Sequence, residues 1–446
     1  IADEMGLGKT AQALATLEAT DCYPAIVVCP ATLVLNWANE ARRWVPGRTV
    51  QVITDRKADT INSPADITVV GWSNLSHWAA HLSFATAAVY DESHYAKNPT
   101  AQRTKAAVTL ARTVPTDGIV LCLTGTPITN RPAEFAPQLD ILGHLKELGG
   151  RWGFYRRFCG AFRDRYGHWH IDGASNLPEL HERLRETCYI RRTKADVLTE
   201  LPPVIHDSVI VTADPKQMKE YAKAEADIVR YVAERAEQIA AELGQNPRSA
   251  AVRARLAAEA NEHLVRISAL RRLAALAKMP AIIEWVETRV DSGAKVVLAA
   301  HHRDVVNTLA DQFGGLKIQG GMPVTEVEAH KAEFQNRPVT EAPVIVLSIQ
   351  AAKTGHTLTA AHDVAFVELP WTPADVDQTI ARVYGRLSDL HGATATYLLA
   401  DGTIDERIFQ LIAAKRQVVD AVTDGTSPTP SVGQAVASLF VDRALA

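Results

Sequence analysis

The chain has 446 residues, a formal net charge of −4, 47% hydrophobic residues and 22% charged residues. This composition suits a globular protein of two or three domains; no run of about 18 apolar residues is present for a membrane span, and the first residues carry no signal-peptide pattern. The near-balanced charge excludes a global attraction to nucleic acid, so any such binding must use local basic surface.

Taken in chain order, the first 200 residues alternate short apolar runs with helix-like segments. AIVVCP (25–30), DITVVGW (66–72), AAVYDE (87–92) and GIVLCLTGT (118–126) read as strands of a buried parallel sheet. From about 214 to 290 the pattern turns to long Ala/Glu/Arg-rich helices. Strand-like runs return at AKVVLAA (294–300), APVIVLSI (342–349), DVAFVEL (363–369) and TATYLLA (394–400), and TSPTP (426–430) opens a tail. The expected fold class is α/β. Its parts are a first lobe at 1–205 with a helical insertion at about 140–190, a helical linker at 206–285, a second lobe at 286–425 and a tail at 426–446. Cys22, Cys29, Cys122, Cys159 and Cys188 are scattered without zinc-site spacing, as in a reduced cytoplasmic protein. Abundant alanine and an excess of arginine over lysine point to a GC-rich genome, so a cytoplasmic, bacterial or phage-encoded protein is expected.

The opening IADEMGLGKT sets Gly6, Gly8, Lys9 and Thr10 at a glycine turn before a helix. Such a turn aims backbone N–H groups at phosphate oxygens, where the helix dipole favours negative charge. Lys9 would reach the β- and γ-phosphates of ATP and the Thr10 hydroxyl would ligate Mg²⁺; the plain alternative is a chance Gly/Lys turn. In AAVYDESH (87–94), Asp91 and Glu92 follow an apolar strand, at the end of a parallel sheet where ligands bind. Asp91 suits the Mg²⁺ shell and Glu92 the orientation or deprotonation of the attacking water, although a lone Asp-Glu is usually a solvated strand end. LTGTP (123–127) ends another strand and suits a hinge that senses the γ-phosphate.

In this order and spacing the chain resembles the Swi/Snf family of superfamily-two helicase-like ATPases. DEMGLGKT is similar to that family's motif I, in which Asp3 and Glu4 are usual. CPATLVLNWANEARRW (29–44) resembles motif Ia, DESHYAKNPTAQRTKA (91–106) motif II, LTGTPITNRPAEF (123–135) motif III and KVVLAAHHRDVV (295–306) motif IV. Residues 348–386 resemble motifs V and VI. GASNLPELHERL (173–184), YIRRTKADVLTELPP (189–203) and LRRLAALAKMPAIIEWV (270–286) are similar to the HARP-like annealing-helicase branch. The resemblance implies two RecA-like parallel-sheet lobes, ATP and Mg²⁺ as cofactors, Gly355 and Gln378 among the nucleotide-binding residues, and arginines of the second lobe that touch the γ-phosphate. It implies a monomeric motor on duplex, forked or branched DNA, active in remodelling or strand annealing. The alternative is an ATP-gated DNA clamp.

The clamp arises from a departure. The family's motif VI runs Q-x-x-x-R-x-x-R-x-G-Q; Gln378 and Arg382 fit, but Gly385 takes the second arginine's place and Arg386 lies one residue later. One residue on a helix turns a side chain by about 100°, and an arginine finger is worth roughly 10³–10⁵ in rate. Only Ile1 and Ala2 precede motif I, where a strand needs about five residues, so a fragment is expected, with the family's adenine-contacting glutamine upstream. By position in the motifs, the DNA-contact candidates are Thr32, Asn36, Asn130, Arg131, His301, His302 and Thr354, with Trp37 as a core anchor. RWGFYRRFCGAFRDRY (151–166) interleaves arginines with aromatics and reads equally as a nucleic-acid surface or as a solvated amphipathic helix; HWH (168–170) reads as loop.

Overall fold

The computed structural model describes residues 1–57, 61, 63–164, 167, 169–247, 249, 252, 260–384 and 392–425. Within these, the chain divides into two compact units, residues 1–201 with 415–425, and residues 202–414.

The first unit is built on β1 (Ala25–Cys29), β2 (Val50–Ile53), β3 (Ile67–Gly71), β4 (Ala87–Asp91) and β5 (Ile119–Leu123). They form a sheet in the order β2-β3-β1-β4-β5, every neighbouring pair parallel. β1, β3 and β4 are buried at every position, which is why they read as unbroken apolar runs rather than as alternation. Along β1, Ala25, Val27 and Cys29 pack with Leu14, Leu17 and Trp37, whereas Ile26 and Val28 pack with Trp72, Leu75 and Leu110. β2, with only Ile53 buried, carried too little apolar signal to be expected.

The opening residues continue this sheet. The Ile1 nitrogen donates to Cys122 O at 2.7 Å and Thr124 N donates to Ile1 O at 3.1 Å. On the other side, Ala2 N donates to Ile190 O at 2.7 Å and Glu4 N to Arg192 O at 2.9 Å. Residues 1–4 therefore lie between the end of β5 and residues 190–192, and carry the chain into the glycine turn. The insertion contains the helix Gly150–Phe158, a two-stranded hairpin of β6 (Phe162–Arg163) and β7 (Trp169–His170), and the helix Leu177–Thr187. Trp169 and His170 thus sit in a strand, not the loop expected of HWH.

The second unit contains β8 (Ile205–Val211), β9 (Val296–Ala300), β10 (Lys317–Ile318), β11 (Val344–Ser348), β12 (Asp363–Phe366) and β13 (Thr394–Ala400). Their order is β10-β11-β9-β12-β13-β8, again all parallel. The segment 206–285, expected as a helical linker, instead opens with β8. This strand holds a sheet edge and buries only Val211 fully, so its polar His206, Asp207 and Ser208 masked it. The helices Pro215–Leu243, Ala260–Ala277 and Met279–Asp291 follow. The first has the sequence marks of its ends: Asp214 accepts the Lys216 N–H, Pro215 stands at the first position, and Gly244 closes it in a left-handed conformation. TSPTP and most of RSAAVRARL (248–256) lie outside the described residues.

Lys278, fully buried, donates to Asp405 Oδ2 at 2.6 Å and to Leu398 O at 2.5 Å, tying the helical section to the end of β13. Lys278→Met should destabilise the second unit by about 3–5 kcal/mol, because Asp405 keeps a buried charge without its cation. Adding Asp405→Asn should recover part of that loss, read by denaturant unfolding.

Candidate nucleotide site

The glycine turn is left-handed at both Gly6 (φ 93°) and Gly8 (φ 76°), the region where only glycine sits without strain. Gly8 caps the helix Lys9–Thr20. Lys9 Nζ donates to Asp3 O at 2.7 Å and Glu4 O at 3.1 Å. Burial lowers its pKa, with Glu92, Asp91 and Asp3 opposing the shift. Thr10, half-buried, is the second residue of the same helix.

Asp91 closes β4. Its Oδ2 accepts the Trp37 Nε1–H at 2.7 Å, and its backbone carbonyl accepts the Trp72 Nε1–H at 2.8 Å. Burial, then the neighbouring Glu92 carboxylate, pushes the Asp91 carboxyl well above the usual carboxylate range. Trp37 is 1% exposed, so it is the core anchor expected, and it also fixes an acidic side chain, a role its sequence position did not disclose. Glu92 has φ 49°, a left-handed conformation rare outside glycine and costly to hold.

β5 delivers the hinge. Thr124 Oγ1 accepts the Thr126 N–H at 3.0 Å and lies 3.0 Å from His94 Nδ1 and 3.4 Å from Glu92 Oε2, while His94 Nδ1 lies 3.2 Å from Glu92 Oε2. A Cβ on Gly125 would stand 2.6 Å from Met5 Cγ, 3.3 Å from Met5 N and 3.5 Å from Lys9 Nζ, so the bare Gly125 lets the Met5 side chain of the glycine turn pack directly against the hinge. Gln138 joins the acidic pair to the hinge from the far side, accepting the Ser93 hydroxyl at 2.7 Å and donating to Pro127 O at 2.7 Å. Lys9, Asp91, Glu92 and LTGTP are therefore brought into one electrostatic neighbourhood.

Asp3, where a general phosphate loop carries glycine, has a structural occupation. Its fully buried carboxylate accepts Arg192 N at 2.9 Å, Arg192 Nε at 3.0 Å, Arg192 Nη2 at 2.5 Å and Gln12 Nε2 at 3.0 Å. These bonds hold its pKa low against burial, which alone would raise it. Glu4 Oε2 accepts Lys194 N at 2.7 Å. The RRTKAD segment is thus the clasp of the glycine turn, and only the opposite charges of the two stretches hinted at it.

Other candidates fall elsewhere. Thr32 and Asn36 are exposed. Asn130 N donates to Glu134 Oε2 at 3.1 Å and its amide oxygen is buried, so this side chain is turned inward rather than presented. Arg131 is paired with Asp172. In the second unit, both ring nitrogens of His302 face protein: Nδ1 lies 2.5 Å from Glu368 Oε1 and Nε2 lies 2.9 Å from Ser268 Oγ. Burial, then Arg271, lowers His301 to about 4, so it is neutral at physiological pH and carries no charge for a phosphate. Gly355 (φ 74°) ends the short turn Ala351–Thr354; the Thr354 side chain lies outside the described residues. Gln378 and Arg382 are buried, with Arg382 Nε donating to Gln378 O at 2.8 Å and Arg382 Nη1 to His356 O at 3.4 Å. Arg386 lies outside the described residues.

Residues 1–263 match the SNF2-related domain, and residues 277–386 match the helicase conserved C-terminal domain. The chain belongs to the SNF2-related family. It is 30% identical over 446 residues to the DNA annealing helicase and endonuclease ZRANB3 of Mus musculus, covering 95% of this chain and 39% of that protein. It is 29% identical over 434 residues to the SWI/SNF-related matrix-associated actin-dependent regulator of chromatin subfamily A-like protein 1 of Xenopus laevis, covering 94% of this chain and 42% of that protein. The chain therefore spans about two fifths of the length of these curated relatives. Among solved structures, the Sulfolobus solfataricus SWI2/SNF2 ATPase core in complex with dsDNA is 23% identical with a TM-score of 0.40, over 95% of this chain and 88% of that one. No described helix is long and apolar enough to cross a membrane.

Two outcomes follow from the geometry. An unfolded Asp91 loses its proton near pH 4 while the folded one, with its raised pKa, keeps it. The folded state then binds more protons, and stability falls as pH rises above about 4. Asp91→Asn should therefore melt higher than the parent at pH 8 without nucleotide, with the gap closing toward pH 4. Arg192→Ala leaves the buried Asp3 carboxylate under-satisfied and should cost about 1–3 kcal/mol in urea unfolding; Arg192→Lys, lacking the planar fork, should recover less than half.

Proposed function

We propose that this chain is an ATP- and Mg²⁺-dependent DNA translocase, a helicase-like ATPase working on duplex or forked DNA in remodelling or strand annealing. The observation that carries the reading is the joint placement of Lys9 at the head of a glycine-turned helix, the Asp91–Glu92 pair at the end of β4, and Thr124 beside Glu92. Membership of the SNF2-related family supports the same reading.

In this proposal Gly6 and Gly8 open the backbone around the phosphates, and Lys9 exchanges the carbonyls of Asp3 and Glu4 for phosphate oxygens. The donor set fits a hard divalent cation: the Thr10 hydroxyl and the Asp91 carboxylate are oxygen ligands of the kind Mg²⁺ takes. Bound there, Mg²⁺ would neutralise charge on the phosphates. Glu92 orients the attacking water and takes its proton, and Trp37 keeps Asp91 from swinging away. Gly355, Gln378, Arg382 and Arg386 are taken as further nucleotide-contacting residues. Thr32 and Asn36 offer exposed polar contacts for a phosphate backbone, which needs no base-reading geometry. Five free cysteines and no disulfide among the described residues fit a reducing, cytoplasmic setting. The motor is taken as monomeric.

The test is steady-state ATP turnover without DNA and with single-stranded, duplex and forked DNA. Stimulation by duplex or forked DNA is expected. Lys9→Ala should reduce turnover by at least a hundredfold, and Glu92→Gln should retain nucleotide binding while losing hydrolysis to a similar degree. DNA affinity should fall steeply with salt. ATP-dependent DNA binding without turnover would instead establish the clamp.

A further inference from the structure

Trp152, Phe162 and Trp169 are 47%, 58% and 40% exposed, and they sit together on the insertion of the first unit. The helix Gly150–Phe158 buries Phe154, Tyr155 and Phe158, which leaves Trp152 on its outer side. Trp152 meets Trp169 of β7 with ring centroids 4.9 Å apart. Across the hairpin, Phe162 pairs with His170 and Arg163 with Trp169. Successive strand residues point to opposite faces, so the hairpin carries an aromatic side chain on each face: Trp169 on one, the stacked Phe162 and His170, 4.8 Å apart and 14° between planes, on the other.

The base of this element is pinned. Ser175 Oγ and Asn176 Nδ2 both donate to Arg157 O, at 2.7 and 2.8 Å, and Ser175 Oγ accepts Gly160 N at 3.1 Å. A Cβ on Gly173 would lie 2.9 Å from Cys159 O, so only glycine lets the returning chain pass. His170 Nε2 lies 3.1 Å from Asp164 Oδ2, which fixes the ring.

The charges around the rings divide into used and unused. Arg157 is committed to Glu179, Arg151 to Asp140 and Arg131 to Asp172. Arg156 lies over the Trp169 ring at 5.7 Å, and Arg163 donates to Gly167 O at 2.9 Å; neither has a carboxylate partner among the described residues. Exposed flat rings beside uncompensated guanidinium groups complement one chemistry: an unpaired base for the ring face and its phosphate for the cation. A continuous duplex hides its base faces in the stack and presents only phosphates here.

We propose that the β6–β7 hairpin, with Trp152 and Arg156, is a stacking site for unpaired bases of single-stranded nucleic acid, such as the arms of a fork. The proposal rests on the nucleic-acid reading above and names the part of the substrate that this surface grips.

The experiment compares the parent chain with Trp169→Ala, Phe162→Ala and Arg156→Gln. Binding is measured by anisotropy to a single-stranded oligonucleotide, a fork with unpaired arms and a blunt duplex, with 2-aminopurine in the unpaired positions. Each aromatic truncation should weaken binding to the single strand and the fork by about tenfold, leave blunt-duplex affinity and duplex-stimulated ATP turnover unchanged, and relieve the 2-aminopurine quenching seen with the parent. Trp169→Phe should restore most of the quenching. Unchanged affinity and quenching in folded Ala variants overturns the proposal, as does an equal loss for blunt duplex. A partner protein retained by the patch in the absence of any base quenching overturns it too. Should Trp169→Ala fail to fold, Phe162→Ala decides by the same readouts. If blunt duplex neither binds nor stimulates the parent, the translocase reading fails, while the quenching still settles the hairpin.

Discussion

The buried carboxylate of Asp3 is the point on which the nucleotide site depends. A charge fully removed from water is tolerable only when its lone pairs are filled, and here the filling comes from Arg192 and Gln12. Because Gln12 belongs to the helix that begins at Lys9 and also donates to Leu7 O, this one anion fixes the entry strand, the glycine turn and the helix as a unit. The departure from a plain phosphate loop is therefore a structural gain: glycine at position 3 would remove the carboxylate that joins the Arg192 guanidinium to Gln12.

The second constraint is the company kept by Asp91 and Glu92. Two adjacent acids at the end of a buried strand repel one another and resist desolvation, and the fold answers with indole donors, not cations. Trp37 donates to the Asp91 side-chain oxygen and Trp72 to the Asp91 backbone carbonyl, from different segments, so the acid gains a donor without a cation. A cationic partner there would compete with a metal; a neutral donor does not. Lys9, meanwhile, is held on backbone carbonyls instead of being locked to either acid, so both signs of charge stay available.

Much of this was legible in the sequence. The fully buried strands announced themselves as apolar runs, and the glycine turn, acidic pair and LTGTP, separate in sequence, are neighbours in the fold. What stayed hidden was of two kinds. β2 and β8 pack weakly at sheet edges, so their side chains owe no debt to the core and carry no pattern. The clasp between Asp3 and Arg192, and the bridge through Gln138, join residues far apart in sequence through hydrogen bonds whose partners no periodicity encodes. Motif position also did not disclose the internal partners of two DNA-contact candidates: Glu134 accepts the Asn130 N–H and Glu368 faces the His302 ring.

Gly125 has a consequence beyond its own turn. Where two loops meet with a side chain on only one of them, that side chain alone absorbs a displacement. Here the Met5 side chain lies where a methyl group on Gly125 would stand, and a thioether chain is among the most adaptable of packing groups. The turn that would carry phosphate and the strand end that faces Glu92 then touch through a cushion: Met5 takes up the first small advance of either, and a larger one is passed on.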